Sequence, residues 1–174
     1  MILGAVLAGG RSSRFGSDKA LAELGGHTLL ALAVDALSGW CDHVVVVGRE
    51  TAPAPTLPDW PAPNMGPLGG VAAALHYAQD EGYMAVLTCG VDAAMLPDDL
   101  LELLSPAPAC LAHQPVIGLW PASAANVVER LLHSDDKHSV RRLAEALGAR
   151  QVQTDKPVPN VNTPHDLSAL NRRS

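Results

Sequence analysis

The residues best suited by type and spacing to do chemistry lie in Leu7-Ala-Gly-Gly-Arg-Ser-Ser-Arg-Phe-Gly-Ser-Asp-Lys19. Gly9 and Gly10 follow an apolar run, where the backbone must turn and leave room for a ligand. Arg11, Arg14 and Lys19 come next, separated by small polar residues and Gly16. Such a turn aims backbone N–H groups and cations at one anion, and Gly-rich loops after a first strand hold phosphate. Lys19 supplies a point charge and Arg14 a fixed fork of donors, both suited to phosphate oxygens. Arg11 reads equally well as a solvated residue. The segment is not a P-loop, because Lys19 does not follow a glycine directly. Nor does the spacing of Gly9, Gly10 and Gly16 match the dinucleotide fingerprint.

Further along, Asp92 is a carboxylate in an otherwise apolar stretch, Thr88 to Pro97. A bare charge there is costly unless it is paired. A hard cation such as Mg²⁺, shared with substrate phosphates, is a natural partner; a capping or loop aspartate is the plainer alternative. Gly66 to Gly70 lets a ligand lie against the backbone, or simply turns a loop into a helix. Asp59 reads either as an exposed loop acid or as an acceptor for two adjacent N–H donors. Asn160 and Asn162 stand on one side of an extended stretch, although Asn is also common in turns. No Ser-His or Cys-His pair suggests a protein nucleophile. Cys41, Cys89 and Cys110 are far apart and odd in number, which argues against a zinc site or disulfide framework. His133 and His138 read as solvated.

The elements that must position these residues alternate. Residues 2–8 read as a buried strand, 28–38 as a helix capped by Thr28, and 43–47 as a second buried strand. Strand, helix, strand predicts a parallel sheet. The proline-rich stretch 51–64 reads as an irregular surface loop. A helix from Gly66 to about Gln79 and a strand over 83–88 follow, with Asp98 and Asp99 at the start of the next helix. Short strands are expected at 109–112, 115–120 and around Val152, and helices at 122–133 and 138–147. Thr163-Pro164-His165-Asp166 opens the last helix with a cap, a proline and an acid. The fold class is α/β, in three layers with a mostly parallel sheet, and 1–174 reads as one domain. In such sheets ligands sit at the carboxyl ends of strands. Residues 7–19 and Asp92 therefore share one crevice.

Composition narrows the ligand. Of the 174 residues, 48% are hydrophobic and 17% charged, so the chain can bury a sizeable core. Aromatics are only 3%, which leaves Ala, Val and Leu to fill it. No window is apolar enough to span a membrane, and no basic start with an apolar core marks a signal peptide; a cytoplasmic location is the expectation. Net charge is −6, which argues against a nucleic-acid groove. Residues 9–19 nevertheless carry +2, leaving −8 for the rest. That concentration fits a small anion rather than a polymer.

The pattern L-A-G-G-x-S-x-R-x-G-x-x-K resembles the signature of nucleotidyltransferases, and its Leu-Ala-Gly-Gly form is similar to the molybdenum cofactor guanylyltransferases. Four further segments extend the resemblance in the family's order: Asp59 with Gly66-Pro67-Leu68-Gly69-Gly70, Asp92 with Pro97, His113 to Pro121, and Asn160 to Pro164. The resemblance implies a Rossmann-like nucleotidyltransferase fold and transfer of GMP from GTP to the phosphate of molybdopterin, with pyrophosphate leaving. It implies that Leu7, Ala8, Gly9 and Gly10 contact the nucleotide, Lys19 its phosphates and Asp59 the guanine or its neighbourhood; Arg14, Lys19 and Asp92 are the candidate catalytic residues. Gly66 would border the nucleotide, Asp92 would hold Mg²⁺, and Asn160 and Asn162 would line the pterin side. GTP and molybdopterin or molybdenum cofactor are the implied partners, with transient contact to cofactor-synthesis or acceptor proteins. Departures from the pattern are Ala94 for a proline, Phe15 for a methionine, Gly90-Val91 between Cys89 and Asp92, and Val47-Gly48 in place of an asparagine. The rivals are a cytidylyltransferase for the same cofactor, which typically reads Leu-Ala-Ala-Gly, a nucleotide-binding homologue weak in catalysis, and a sugar-1-phosphate nucleotidyltransferase.

Overall fold

A computed structural model describes residues 1–9, 18–63, 65–92, 95–135 and 137–173. Its centre is β1, Ile2–Leu7, whose residues 3–6 are all buried. An apolar run of this kind survives only between two covered faces. β4 (His43–Val47) pairs with β1 in parallel on one side, and β6 (Ala85–Gly90) does so on the other. Helix α1 (Leu29–Ser38) connects β1 to β4, and the Thr28 hydroxyl caps it by accepting from the amide of Ala31 at 3.1 Å. Helix α2 (Gly66–Glu81) leads back across to β6. The sequence therefore steps to one side of β1 and then to the other, which opens a crevice at its carboxyl end.

Among the described residues the sheet has seven strands, in the order β5 (Thr56–Leu57), β4, β1, β6, β8, β7 and β9. β8 (Gly118–Pro121) runs antiparallel to both β6 and β7 (Ala109–Leu111), while β9 (Arg150–Val152) is parallel to β7. α2, α4 (Ala125–His133) and α5 (Val140–Leu147) cover one face with Leu3, Ala5, Val45 and Val86. α1 and the short α3 (Leu100–Leu104) cover the other with Val6, Val44, Val46 and Leu87. Neighbouring strand residues thus alternate between the two cores, as the pleat requires. The cores are mainly Ala, Val and Leu, as the composition predicts. Trp120 is the largest exception, fully buried with its indole N–H on the Thr88 hydroxyl at 3.0 Å. No helix among the described residues is long and apolar enough to cross a membrane.

The structure differs from the sequence reading in several places. The proline-rich stretch is not wholly irregular: Thr56–Leu57 forms β5, parallel to β4. A prolyl residue lacks an amide donor, but here the prolines flank the pairing, and Pro55 contributes its carbonyl to the amide of Val46. A two-stranded ribbon, β2 (Glu23–Leu24) and β3 (His27–Thr28), turns through Gly25-Gly26, a hairpin signal missing from the sequence reading. The strand expected over 115–120 begins only at Gly118, and the helix expected from 122 opens as a 3-10 turn before α4. The last helix, α6 (Pro164–Arg173), starts as predicted. Asp166 accepts from the amides of Asn162 and Thr163, and the Thr163 hydroxyl accepts from Asp166 in return.

Candidate active site

Leu7, the last residue of β1, lies opposite Val47 of β4 and Gly90 of β6. Three parallel strands therefore end at one edge, and the residues that follow each of them meet there. Ala8 continues the pairing by donating to the carbonyl of Val47 at 2.9 Å. Gly9 then packs against Gly48, which takes φ +91°. A Cβ at Gly48 would stand 2.6 Å from the Gly9 Cα, so this crossing excludes a side chain twice, by conformation and by contact.

Beside this crossing lies a cleft of about 480 Å³, walled by Gly9, Gly48, Arg49, Thr56, Pro58 and Asp59. β5 delivers Asp59 to it, and the amide of Trp60 holds the turn by donating to the carbonyl of Gly69 at 3.1 Å. The Asp59 Oδ1 lies within 3.9 Å of the Cβ positions of Gly9, Gly48 and Gly70. Gly70 is thus the residue of the Gly66–Gly70 segment that borders Asp59. Gly66 lies exposed at the first turn of α2.

On the other flank of β1, Asp92 follows β6 by two residues. Its Oδ1 sits 2.6 Å from where a Cβ of Gly90 would be, so the carboxylate folds back over the strand end. Burial and then this charge push the Cys89 thiol up to about 12. No hydrogen-bonding or cationic partner for the half-buried carboxylate lies among the described residues. A hard oxygen donor with no partner among the described residues fits a divalent cation, and Mg²⁺ is usually held by one or two carboxylates together with substrate phosphates. No cluster of three or more metal-ligating side chains gathers elsewhere among the described residues.

The carbonyl of Asp92 accepts from the amide of Val161 at 2.7 Å. Val161 is itself buried with Leu24, Leu29 and Leu170. This pins the Asn160–Asn162 stretch beside the Asp92 turn, with Asn160 exposed and Asn162 half-buried. Lys19 is half-buried at the start of a 3-10 turn, Lys19–Leu21, which Asp18 caps through the amide of Ala20 at 3.2 Å. Gly10, Arg11 and Arg14 lie outside the described residues.

Arg49 did not figure in the sequence reading. It stands two residues past the end of β4, after Gly48, and grips Asp18 with both terminal nitrogens, at 2.9 and 3.0 Å. This bond holds the Asp18 carboxyl below its ordinary value, against the opposing effect of burial. The signal available in the sequence was its place: a cation one residue past a glycine, at the end of a buried strand next to β1.

A mostly parallel three-layer α/β sheet, with Lys19 and an Asp92 carboxylate unpaired among the described residues near its strand-order switch, has the architecture of the nucleotidyltransferase type. The model of the MobA-like NTP transferase domain matches residues 4–156, and the chain belongs to that family. Over 98% of its length it is 36% identical to a molybdenum cofactor guanylyltransferase of Rhizobium johnstonii, covering 92% of that protein. It is 32% identical to the same enzyme of Rhodobacter capsulatus, over 99% and 96% of the two chains. Among solved structures it resembles the molybdopterin-guanine dinucleotide biosynthesis protein A of Archaeoglobus fulgidus, with a TM-score of 0.74 at 21% identity over 98% and 97%. It also shares its fold with a 2-C-methyl-D-erythritol 4-phosphate cytidylyltransferase of Thermus thermophilus, with a TM-score of 0.62 at 16% identity over 97% and 96%.

Proposed function

We propose that this protein is a molybdenum cofactor guanylyltransferase, moving GMP from GTP to the phosphate of molybdopterin and releasing pyrophosphate. The observation that carries the reading is the placing of Asp59 and Asp92 on opposite flanks of the β1 end, within a chain 32–36% identical to enzymes of that name over nearly its whole length. On this reading the chain acts as one nucleotidyltransferase domain, with the cytoplasm as its site of action.

Guanine enters the cleft beside Gly9 and Gly48, which Asp59 borders. Asp59 accepts from its two adjacent N–H donors. Leu7, Ala8, Gly9 and Gly10 follow the nucleotide along the backbone, with Gly66 at its border. Lys19 and Arg14 neutralise the phosphates. Asn160 and Asn162 orient the acceptor on the far side of Asp92. An oxygen of the acceptor phosphate attacks the α-phosphorus in line; the new P–O bond forms as the bond to the β-phosphate oxygen breaks, and the charge departs with pyrophosphate. Asp92 would hold Mg²⁺, which supplies charge neutralisation on the phosphates when bound. The protein's part is positioning and electrostatic stabilisation, with no protein nucleophile.

The test is pyrophosphate release from GTP and from CTP, with and without molybdopterin. Release from GTP that depends on the acceptor is expected. Faster turnover of CTP would sink the guanine assignment, and GTP binding without any turnover would sink the enzyme reading.

A further inference from the structure

We propose that Arg49 is a positioning residue for the nucleotide's phosphates, acting through Asp18 on Lys19; this rests on the nucleotide reading of the site. The two residues that follow β4 touch two different segments. Gly48 packs on Gly9, and Arg49 grips Asp18, the residue immediately before Lys19. The grip is a two-bond fork, at 2.9 and 3.0 Å, the geometry in which a guanidinium fixes direction as well as distance. Its two carboxylate oxygens are committed: Oδ1 also caps the 3-10 turn through Ala20. Lys19 begins that turn, so the fork, the cap and the lysine form one chain of contacts reaching from β4.

Arg49 is not placed as a surface ion pair would be. Its side chain is only 19% exposed, against 46% for that of Asp18, it walls the cleft next to Asp59, and its Nε is buried without a hydrogen-bond partner among the described residues. An orphaned buried donor is unfavourable for stability. An arginine that leaves one donor unmet while holding one acid with the others is suited to setting a position. What it sets is the spacing between Lys19 and the Asp59 cleft, hence between the phosphates and the base of one nucleotide.

The experiment is a cycle of Arg49→Ala, Lys19→Ala and the double variant in the full chain, with Arg49→Lys and Asp18→Asn alongside. Arg49→Ala is expected to raise the KM for GTP about tenfold with kcat changed less than about threefold. Arg49→Lys should recover part of that, since it keeps the charge but not the fork. In the Lys19→Ala background the further loss from Arg49→Ala should be under about twofold. Losses that multiply, or an Arg49→Ala KM within about twofold of wild type, overturn the proposal. If Arg49→Ala fails to fold, Asp18→Asn, which keeps the arginine's packing, is read in the same cycle. If wild type transfers no nucleotide or prefers CTP, the functional reading fails on its own. The pair is then judged by calorimetric binding of inorganic pyrophosphate to the same proteins. Non-multiplying losses in Kd support it; multiplying losses, or no binding to wild type, overturn it.

Discussion

The amide of Val161 donates to the carbonyl of Asp92 at 2.7 Å, joining two segments 69 residues apart in the chain. Buried Val161 is the peg, and Asn160 and Asn162 flank it at the surface. The amides therefore stand beside the acid because of a backbone bond, not through their own side chains.

It follows that removing the amide side chains should leave nucleotide binding intact. The double variant Asn160→Ala/Asn162→Ala is expected to raise the KM for molybdopterin by about tenfold or more while the Kd for GTP stays within about twofold. Steady-state kinetics with each substrate varied in turn reads this. A change confined to GTP would remove both amides from the acceptor side.

Asp92→Asn keeps the shape over Gly90 and removes the charge. Transfer should fall by roughly 10²–10³-fold, the scale of losing one electrostatic contributor at a reacting phosphate. The activity should lose its response to added Mg²⁺, with the melting temperature unchanged or raised, because a half-buried carboxylate without a partner among the described residues has gone.

Gly48→Ala tests the crossing at the cleft. Positive φ and the 2.6 Å approach to Gly9 both oppose a methyl group, and a loss of about 1–3 kcal/mol in urea unfolding is expected. The KM for GTP should rise with it. Gly82→Ala, also at positive φ (+81°) but with nothing within 4 Å, should cost stability while leaving KM alone.

The Asp18–Arg49 pair sets a pH dependence. The Asp18 carboxyl is held below its ordinary 3.8, chiefly by its bond to Arg49. The folded state therefore prefers the ionised form. That stability is fully present above the unfolded value and is lost as pH falls through the lowered folded value. Asp18→Asn should flatten the acid limb of the stability profile below about pH 4, read by thermal melts from pH 2 to 7.

Inside the sheet, Thr88 donates to the carbonyl of Val116 at 2.7 Å and accepts from the Trp120 indole at 3.0 Å. Thr88→Val preserves shape but orphans both partners. A loss of about 1–3 kcal/mol is expected, with kinetic constants little changed, because Thr88 lies within the sheet rather than at its ligand edge.

The sequence by itself determined the α/β layering. Apolar runs such as Ile2–Leu7 and His43–Val47 can be satisfied only as covered parallel strands, and the α1 cap and the α6 start are local chemistry read directly from Thr28 and from Thr163 to Asp166. It also singled out Asp92, an acid against an apolar background, and, through the resemblance and their spacing, Asp59 ahead of Gly66 and the Asn160–Asn162 pair. Only the tertiary structure decided how these meet. That Gly48 lies on Gly9, that Arg49 reaches Asp18, and that Val161 docks on Asp92 depend on β4 and β6 flanking β1 and on the last segment returning to the Asp92 turn. β5 was illegible for the same reason: two residues among prolines become a strand only when β4 is there to pair with them. Local patterns encode elements, whereas contacts between distant segments arise from strand order and shared burial, which no stretch of the chain carries alone.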